Sequence, residues 1–179
     1  MLQRYKIHFI FFAVFVVILL LWTFPVILQL NRSAYGPIYG TDNRAVIWNF
    51  WWYHYAQQNH LNPDMNMMVN FPYGSGWTAP RIYPWYVYPA YWLSGLVNEL
   101  FAYNILILVS FLFSFLSMYL LVFYLTRQAN AAFVSGLIYT FAPYHVNKSW
   151  EHFGLMFIDF IPLAVLGLLM LKKKQNLHS

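Results

Sequence analysis

The carboxylate of Asp42 stands where a charged group could do chemistry. It follows the turn-forming stretch Gly36-Pro37-Ile38-Tyr39-Gly40-Thr41 and precedes Asn43-Arg44, where a helical pattern begins. An acid in that position has two uses. Its side chain, or that of Thr41, can accept hydrogen bonds from the open amides of a first helical turn. It can also take a proton from an acceptor hydroxyl or bind a divalent cation. A second polar group lies at His145-x-Asn147-Lys148-x-x-Glu151-His152. Lys148, or a protonated His145 or His152, could meet a phosphate through charge-assisted hydrogen bonds. Glu151 and His152 could instead join Asp42 around an ion such as Mg or Mn. No spacing here is diagnostic of a metal, because the two histidines flank an expected turn. The plainer alternative is a solvated turn whose long side chains snorkel toward water.

Asp159 differs from both, since it lies within an apolar stretch about seven residues, or ~10 Å, beyond that polar turn. An acid in such a place tends to face a bundle interior, for pairing or for function. Met65, Met67 and Met68 lack the cysteine or spaced histidine that a soft-metal site would need, and read as packing residues. Asn31-Arg32-Ser33 and Asn147-Lys148-Ser149 match the glycosylation sequon, a pattern short enough to arise by chance.

The elements that must hold these residues are apolar. The 179 residues are 61% hydrophobic, 22% aromatic and 8% charged, and contain no cysteine. That composition belongs to integral membrane proteins and excludes disulfide and thiol chemistry. The net charge of +5 sits mostly at the ends of apolar segments, so no separate basic face is offered to nucleic acid. The expected fold is an all-α integral membrane module, residues 1–179, with about four transmembrane helices at 9–30, 100–126, 129–145 and 152–171. Residues 31–99 form a long outer loop containing amphipathic interfacial helices. The first span reads as a retained anchor, since the apolar run is long for a signal peptide and no small-residue cleavage site follows it directly. With four crossings, Arg4, Lys6, Arg127 and Lys172-Lys173-Lys174 fall on the cytoplasmic side, together with both termini. Asp42 and the His145–His152 turn then share the outer face of the cell membrane.

Within the outer loop, Trp48, Trp51, Trp52 and Tyr55 recur at helical spacing, which predicts an aromatic face lying at the water–lipid boundary. That helix should end near Gln57-Gln58-Asn59-His60, ahead of a turn at Leu61-Asn62-Pro63-Asp64. From Trp77 to Trp92 prolines alternate with aromatics, which predicts irregular interfacial backbone with a short helix after Pro89.

The order of several motifs resembles the N-terminal part of the GT-C-type membrane glycosyltransferases of bacteria and archaea. The matching pieces are the first anchor, Gly40-Thr41-Asp42 before the aromatic helix, Leu61-Asn62-Pro63, Phe71-Pro72-Tyr73-Gly74 and Ala102-Tyr103-Asn104. The run from Ser135-Gly136 to Pro143-Tyr144-His145, then His152 and Ile161-Pro162-Leu163, completes the likeness. The resemblance implies an inverting transferase that moves sugar from a polyprenyl-phosphate-linked donor to an acceptor hydroxyl. It implies that Asp42 is the catalytic base, with His145 and His152 toward the donor phosphate; the leaving charge would be met by Lys148, Arg81 or His152, or by a metal. Such enzymes are sometimes assisted by a divalent ion, for which Asp42, Glu151 and His152 are the candidate ligands. Family members carry more spans, so the chain is expected to be a portion of such an enzyme, incomplete alone, with a second polypeptide supplying further spans. The non-enzymatic alternative is a small membrane scaffold that binds a partner protein.

Overall fold

The structure, a computed structural model, describes residues 2–76 and 84–175, and these are mostly helical. In chain order the helices are α1 (Leu2–Trp22), α2 (Asn43–Gln58), α3 (Pro84–Leu96), α4 (Glu99–Thr126), α5 (Ala129–Thr140), α6 (Pro143–Glu151) and α7 (Phe160–Gln175). Short 3-10 turns lie at Val26–Leu28 and Phe153–Leu155. A two-residue hairpin, β1 (Met65–Asn66) with β2 (Ser75–Gly76), pairs antiparallel with Met65 opposite Gly76 and Asn66 opposite Ser75.

The chain divides into two compact units. The first comprises Met1–Phe24, Leu108–Lys148 and Leu155–Ser179. Here α1 lies against α5, with Phe11 stacked on Phe133 at 4.6 Å and Phe15 on Phe115 of α4 at 4.0 Å. Gly136 permits that packing, because a Cβ there would come within 2.8 Å of the Phe115 ring. The buried face of α4 carries Ser110, Ser114 and Ser117 among its aromatics. Small side chains of this kind let helices approach closely.

The second unit comprises Pro25–Ile107 and Ser149–Gly154. Its centre is α2 against α3, where Tyr53 and Tyr91 stack at 3.7 Å and Phe50 meets Tyr91 edge-on. His54 Nε2 lies 2.7 Å from the Tyr91 carbonyl and 2.8 Å from Ser94 Oγ. Gly95 leaves room for that imidazole, since a Cβ would sit 2.8 Å from it.

Several boundaries differ from the sequence expectation, each for a local reason. The first helix stops at Trp22 rather than running to residue 30. The Thr23 amide and hydroxyl both donate to the Leu19 carbonyl, at 3.0 and 2.8 Å, and Pro25 has no N–H to continue the ladder. Residues 129–145 are not one helix: α5 ends at Thr140, and α6 starts afresh at Pro143. At ~1.5 Å per residue, the 12 residues of α5 reach only ~18 Å. The last expected span is interrupted between Leu155 and Phe160. By length and composition, two helical stretches among the described residues could cross a membrane: Glu99–Thr126, and Phe153–Gln175 if the 3-10 turn is counted. The apolar part of α1, Lys6–Trp22, is shorter.

Inside the expected outer loop, regular structure extends further than the prolines suggest. Helix α3 begins at Pro84, where the missing amide belongs to an open first turn, and continues through an exposed Pro89. The aromatic stripe of α2 is also divided. Trp48 is 41% exposed, whereas Trp52 is 1% exposed and donates its indole N–H to the Pro63 carbonyl at 3.1 Å. Asn43, Val46, Phe50, Trp52 and Ala56 form the buried side. The 61–64 turn is as expected, closed by the Asp64 amide on Asn62 Oδ1 at 3.0 Å.

Candidate functional site

The loop before α2 is closed by small residues and amides. Gly36 and Gly40 both take left-handed backbone, with φ of +80° and +76°, a conformation that side chains oppose. Thr41 Oγ1 turns back to donate to the Pro37 carbonyl at 2.7 Å. Asn43 is fully buried and its Nδ2 donates twice, to the Pro37 carbonyl at 2.9 Å and to the Trp150 carbonyl at 2.8 Å. Between them, Asp42 donates its amide to the Glu151 carbonyl at 3.3 Å. This places the start of α2 on the end of α6, more than a hundred residues later in the chain.

A buried frame supports both strands of chain. Asn104 Oδ1 accepts the Tyr35 amide at 2.9 Å, and Asn104 Nδ2 donates to the Leu30 and Ser33 carbonyls at 2.8 and 2.7 Å. The Tyr103 hydroxyl donates to the Tyr35 carbonyl at 3.0 Å, and Tyr35 meets Trp150 edge-on at 5.1 Å. Phe153, 3% exposed, stacks on Tyr103 at 5.2 Å and meets Phe50. The backbone on either side of Asp42 and His152 is therefore pinned.

On that frame His152 Nδ1 lies 2.9 Å from Asp42 Oδ2, with the two side chains 39% and 66% exposed. The carboxylate can only accept, so Nδ1 carries the hydrogen of this bond. In the neutral ring Nε2 then holds a lone pair, and Nε2 makes no hydrogen bond among the described residues. Asp42 makes no side-chain capping bond; its φ and ψ of −70° and −16° are already helical. The pair can accept a proton from a hydroxyl, either at the free carboxylate oxygen or at Nε2.

The other expected residues are placed differently. His145 is fully buried in the first unit, its Nδ1 2.7 Å from the Thr140 carbonyl and its Nε2 3.3 Å from Ser110 Oγ, with Phe111 stacked on the ring. Such a histidine packs and positions helix ends; it does not present a nitrogen to a ligand. Lys148, half-buried, also belongs to the first unit and makes no ion pair among the described residues. Glu151 contributes its carbonyl to the Asp42 amide, and no ion pair of its carboxylate occurs among the described residues. Arg81 lies outside the described residues. Asp159 is buried, just ahead of α7 and next to Ile158, whose carbonyl accepts the Tyr139 hydroxyl at 2.8 Å. Among the described residues no three His, Cys, Asp or Glu side chains gather to hold a metal ion. Asp42 and His152 meet, and Glu151 reaches them through its backbone carbonyl on the Asp42 amide.

Gly36, Asn43, Tyr35 and Asn104 frame the site, yet none was expected at it: Gly36 read only as part of a turn, and Asn104 only as part of the Ala102-Tyr103-Asn104 motif. No protein-family model, curated protein or solved structure matches the chain.

Proposed function

We propose that the chain is the N-terminal portion of a GT-C-type integral membrane glycosyltransferase, acting at the membrane surface on a polyprenyl-phosphate-linked sugar. The observation that carries this reading is the Asp42–His152 pair, two half- to well-exposed groups at 2.9 Å on a rigid frame. It adds to the sequence resemblance a base with a polar partner at the position the resemblance assigns. The membrane setting is supported by two helical stretches of sufficient length and apolarity. Helix α1 and a broken crossing through α5 would complete four spans, leaving both termini cytoplasmic and Asp42 outside.

In this mechanism the acceptor hydroxyl gives its proton to the Asp42–His152 pair. The acceptor oxygen forms a bond to the anomeric carbon, on the face opposite the lipid phosphate. The carbon–oxygen bond to phosphate breaks, and the electron pair leaves with the polyprenyl phosphate. That leaving charge would be met by Lys148, Arg81 or His152, or by a metal.

The test uses membranes containing the chain together with the polypeptide that supplies the remaining spans, and follows sugar transfer from a labelled polyprenyl-phosphate donor. Removing a general base lowers rates by ~10²–10⁴-fold, so Asp42→Asn should do so while donor binding persists. If Asp42→Asn transfers sugar at the unaltered rate, the reading is wrong. His152→Gln separates the two proton routes: equal losses in both variants assign the base to Nε2, whereas a smaller loss assigns it to the carboxylate.

A further inference from the structure

A second feature of the same unit lies beside the acid and is used by nothing described so far. A cavity of about 520 Å³ opens between the first turns of α2 and the β1–β2 hairpin. Thr41, Arg44, Trp48 and Asn49 line it from the helix side, Asn66 and Ser75 from the hairpin. The antiparallel register sets Asn66 directly across from Ser75, so the hairpin presents two polar side chains together. Cavities of this size commonly enclose small molecules.

The polar groups are of mixed type. Asn66 is 2% exposed; its Oδ1 accepts the Met68 amide at 3.0 Å, while its Nδ2 has no partner among the described residues. A buried donor left unpaired is unfavourable, and a ligand oxygen would relieve it. Asn49 gives one Nδ2 hydrogen to the Ala45 carbonyl at 2.6 Å, keeping a second hydrogen to donate and Oδ1 to accept. Thr41 has donated its hydrogen to Pro37 and so also offers lone pairs. Arg44 supplies donors and Ser75 can do either. A phosphate presents almost only acceptors, so it would set lone pairs against Thr41 and leave Asn49 Oδ1 without a donor. A polyol satisfies both kinds of partner at once, and Trp48 adds an amphipathic aromatic surface for the C–H face of a ring.

We infer that this cavity is a pyranose-binding subsite, built from Trp48, Asn49, Asn66 and Ser75 beside the Asp42 turn. Its assignment to the sugar of the transfer reaction rests on the function proposed above; the binding itself does not.

The experiment is a saturation-transfer NMR titration of the full chain in lipid nanodiscs with methyl glucopyranoside, mannopyranoside and galactopyranoside. At least one glycoside should show saturable transfer to its ring protons. Trp48→Ala and Asn66→Asp should each weaken it about tenfold, the latter keeping the acceptor toward Met68 while removing the donor. Ser75→Ala, at an exposed position, tests the same wall should Asn66→Asp disturb the hairpin. Trp92→Ala, on an exposed face of α3, should change nothing. No saturable signal, an unaltered signal in Trp48→Ala and Ser75→Ala, or displacement by inorganic phosphate would each overturn the subsite. Asp42→Asn should bind the glycoside normally, so loss of the catalytic reading and loss of the subsite give different results.

Discussion

Three glycines allow the contact between the Asp42 loop and the end of α6 to be weighed. A Cβ at Gly36 would lie 2.3 Å from the Trp150 carbonyl oxygen and 3.3 Å from Asn43 Nδ2, on backbone at φ +80°. A Cβ at Gly40 would meet nothing within 4 Å, although φ is +76°. Gly154 has neither constraint. Left-handed backbone disfavours a side chain by ~1–2 kcal/mol, and this applies equally to Gly36→Ala and Gly40→Ala. Only Gly36→Ala must also push a backbone carbonyl away, and the Asn43–Trp150 hydrogen bond goes with it. Losing that bond adds ~1 kcal/mol, with more for the buried amide left behind, so Gly36→Ala should lose ~3–4 kcal/mol in all. For a chain of this size that corresponds to a fall in melting temperature of roughly 6–16 °C, against about 2–8 °C for Gly40→Ala and almost none for Gly154→Ala. Thermal unfolding in nanodiscs, followed by circular dichroism, ranks the three. The ring ¹⁵N shifts of His152 should change in Gly36→Ala alone, because only there does the Asp42 partner move away. Equal destabilisation by Gly36→Ala and Gly40→Ala would refute the contact with Trp150 and, with it, the geometry that joins Asp42 to His152.

Four further substitutions probe the frame. Asn43→Leu keeps the branched shape but strands the Pro37 and Trp150 carbonyls, which should lower stability by ~2–4 kcal/mol in the same melts; Asn43→Asp, setting a carboxylate against two carbonyls, should be worse. Asn104→Leu removes three hydrogen bonds and should lose ~3 kcal/mol, whereas Tyr103→Phe removes one and should lose ~1 kcal/mol, a ratio that denaturant titration can measure.

What could be read from the sequence follows the range of the interactions involved. Helix α4 was legible almost to the residue because an uncharged run closed by Arg127 needs no distant partner to define it. The start of α2 after Asp42 was legible for the same reason, from a glycine-rich turn followed by helical spacing. The division of the aromatic stripe was not, because Trp48 and Trp52 are the same residue type one turn apart. Only the arrival of the Pro63 carbonyl, after the 61–64 turn, makes one of them a core residue. His145 and His152 present the same difficulty. Both stand in one polar run, yet His145 faces Ser110 and Thr140 inside a core while His152 reaches Asp42. Their separation depends on where α5 stops, and that depends on Pro143 starting a new helix. The counting of charges that put Asp42 and His152 on a common face gave proximity in the plane of a membrane; it had no means of finding Asn43, whose amide bridges the two segments.

The division of labour in the 36–43 loop also bears on why Asp42 is available for chemistry. Both Thr41 and Asp42 are residues that ordinarily cap a helix, and neither does so here. Thr41 holds the loop behind it through Pro37, and Asn43 holds the loop and the distant Trp150 carbonyl together. Asp42 takes helical backbone and contributes only its amide to that closure, on the Glu151 carbonyl. Its carboxylate is thereby released from structural duty at the same point where the helix N-terminus, with its open amides, favours a negative charge. The single group it engages, His152, is fixed by Phe153 immediately after it and leaves its outer nitrogen toward water. A carboxylate used merely to start α2 would sit on the amides of the first turn. Here the carboxylate lies against an imidazole instead, while Thr41 and Asn43 close the loop, and the proposed role as a proton acceptor rests on that arrangement.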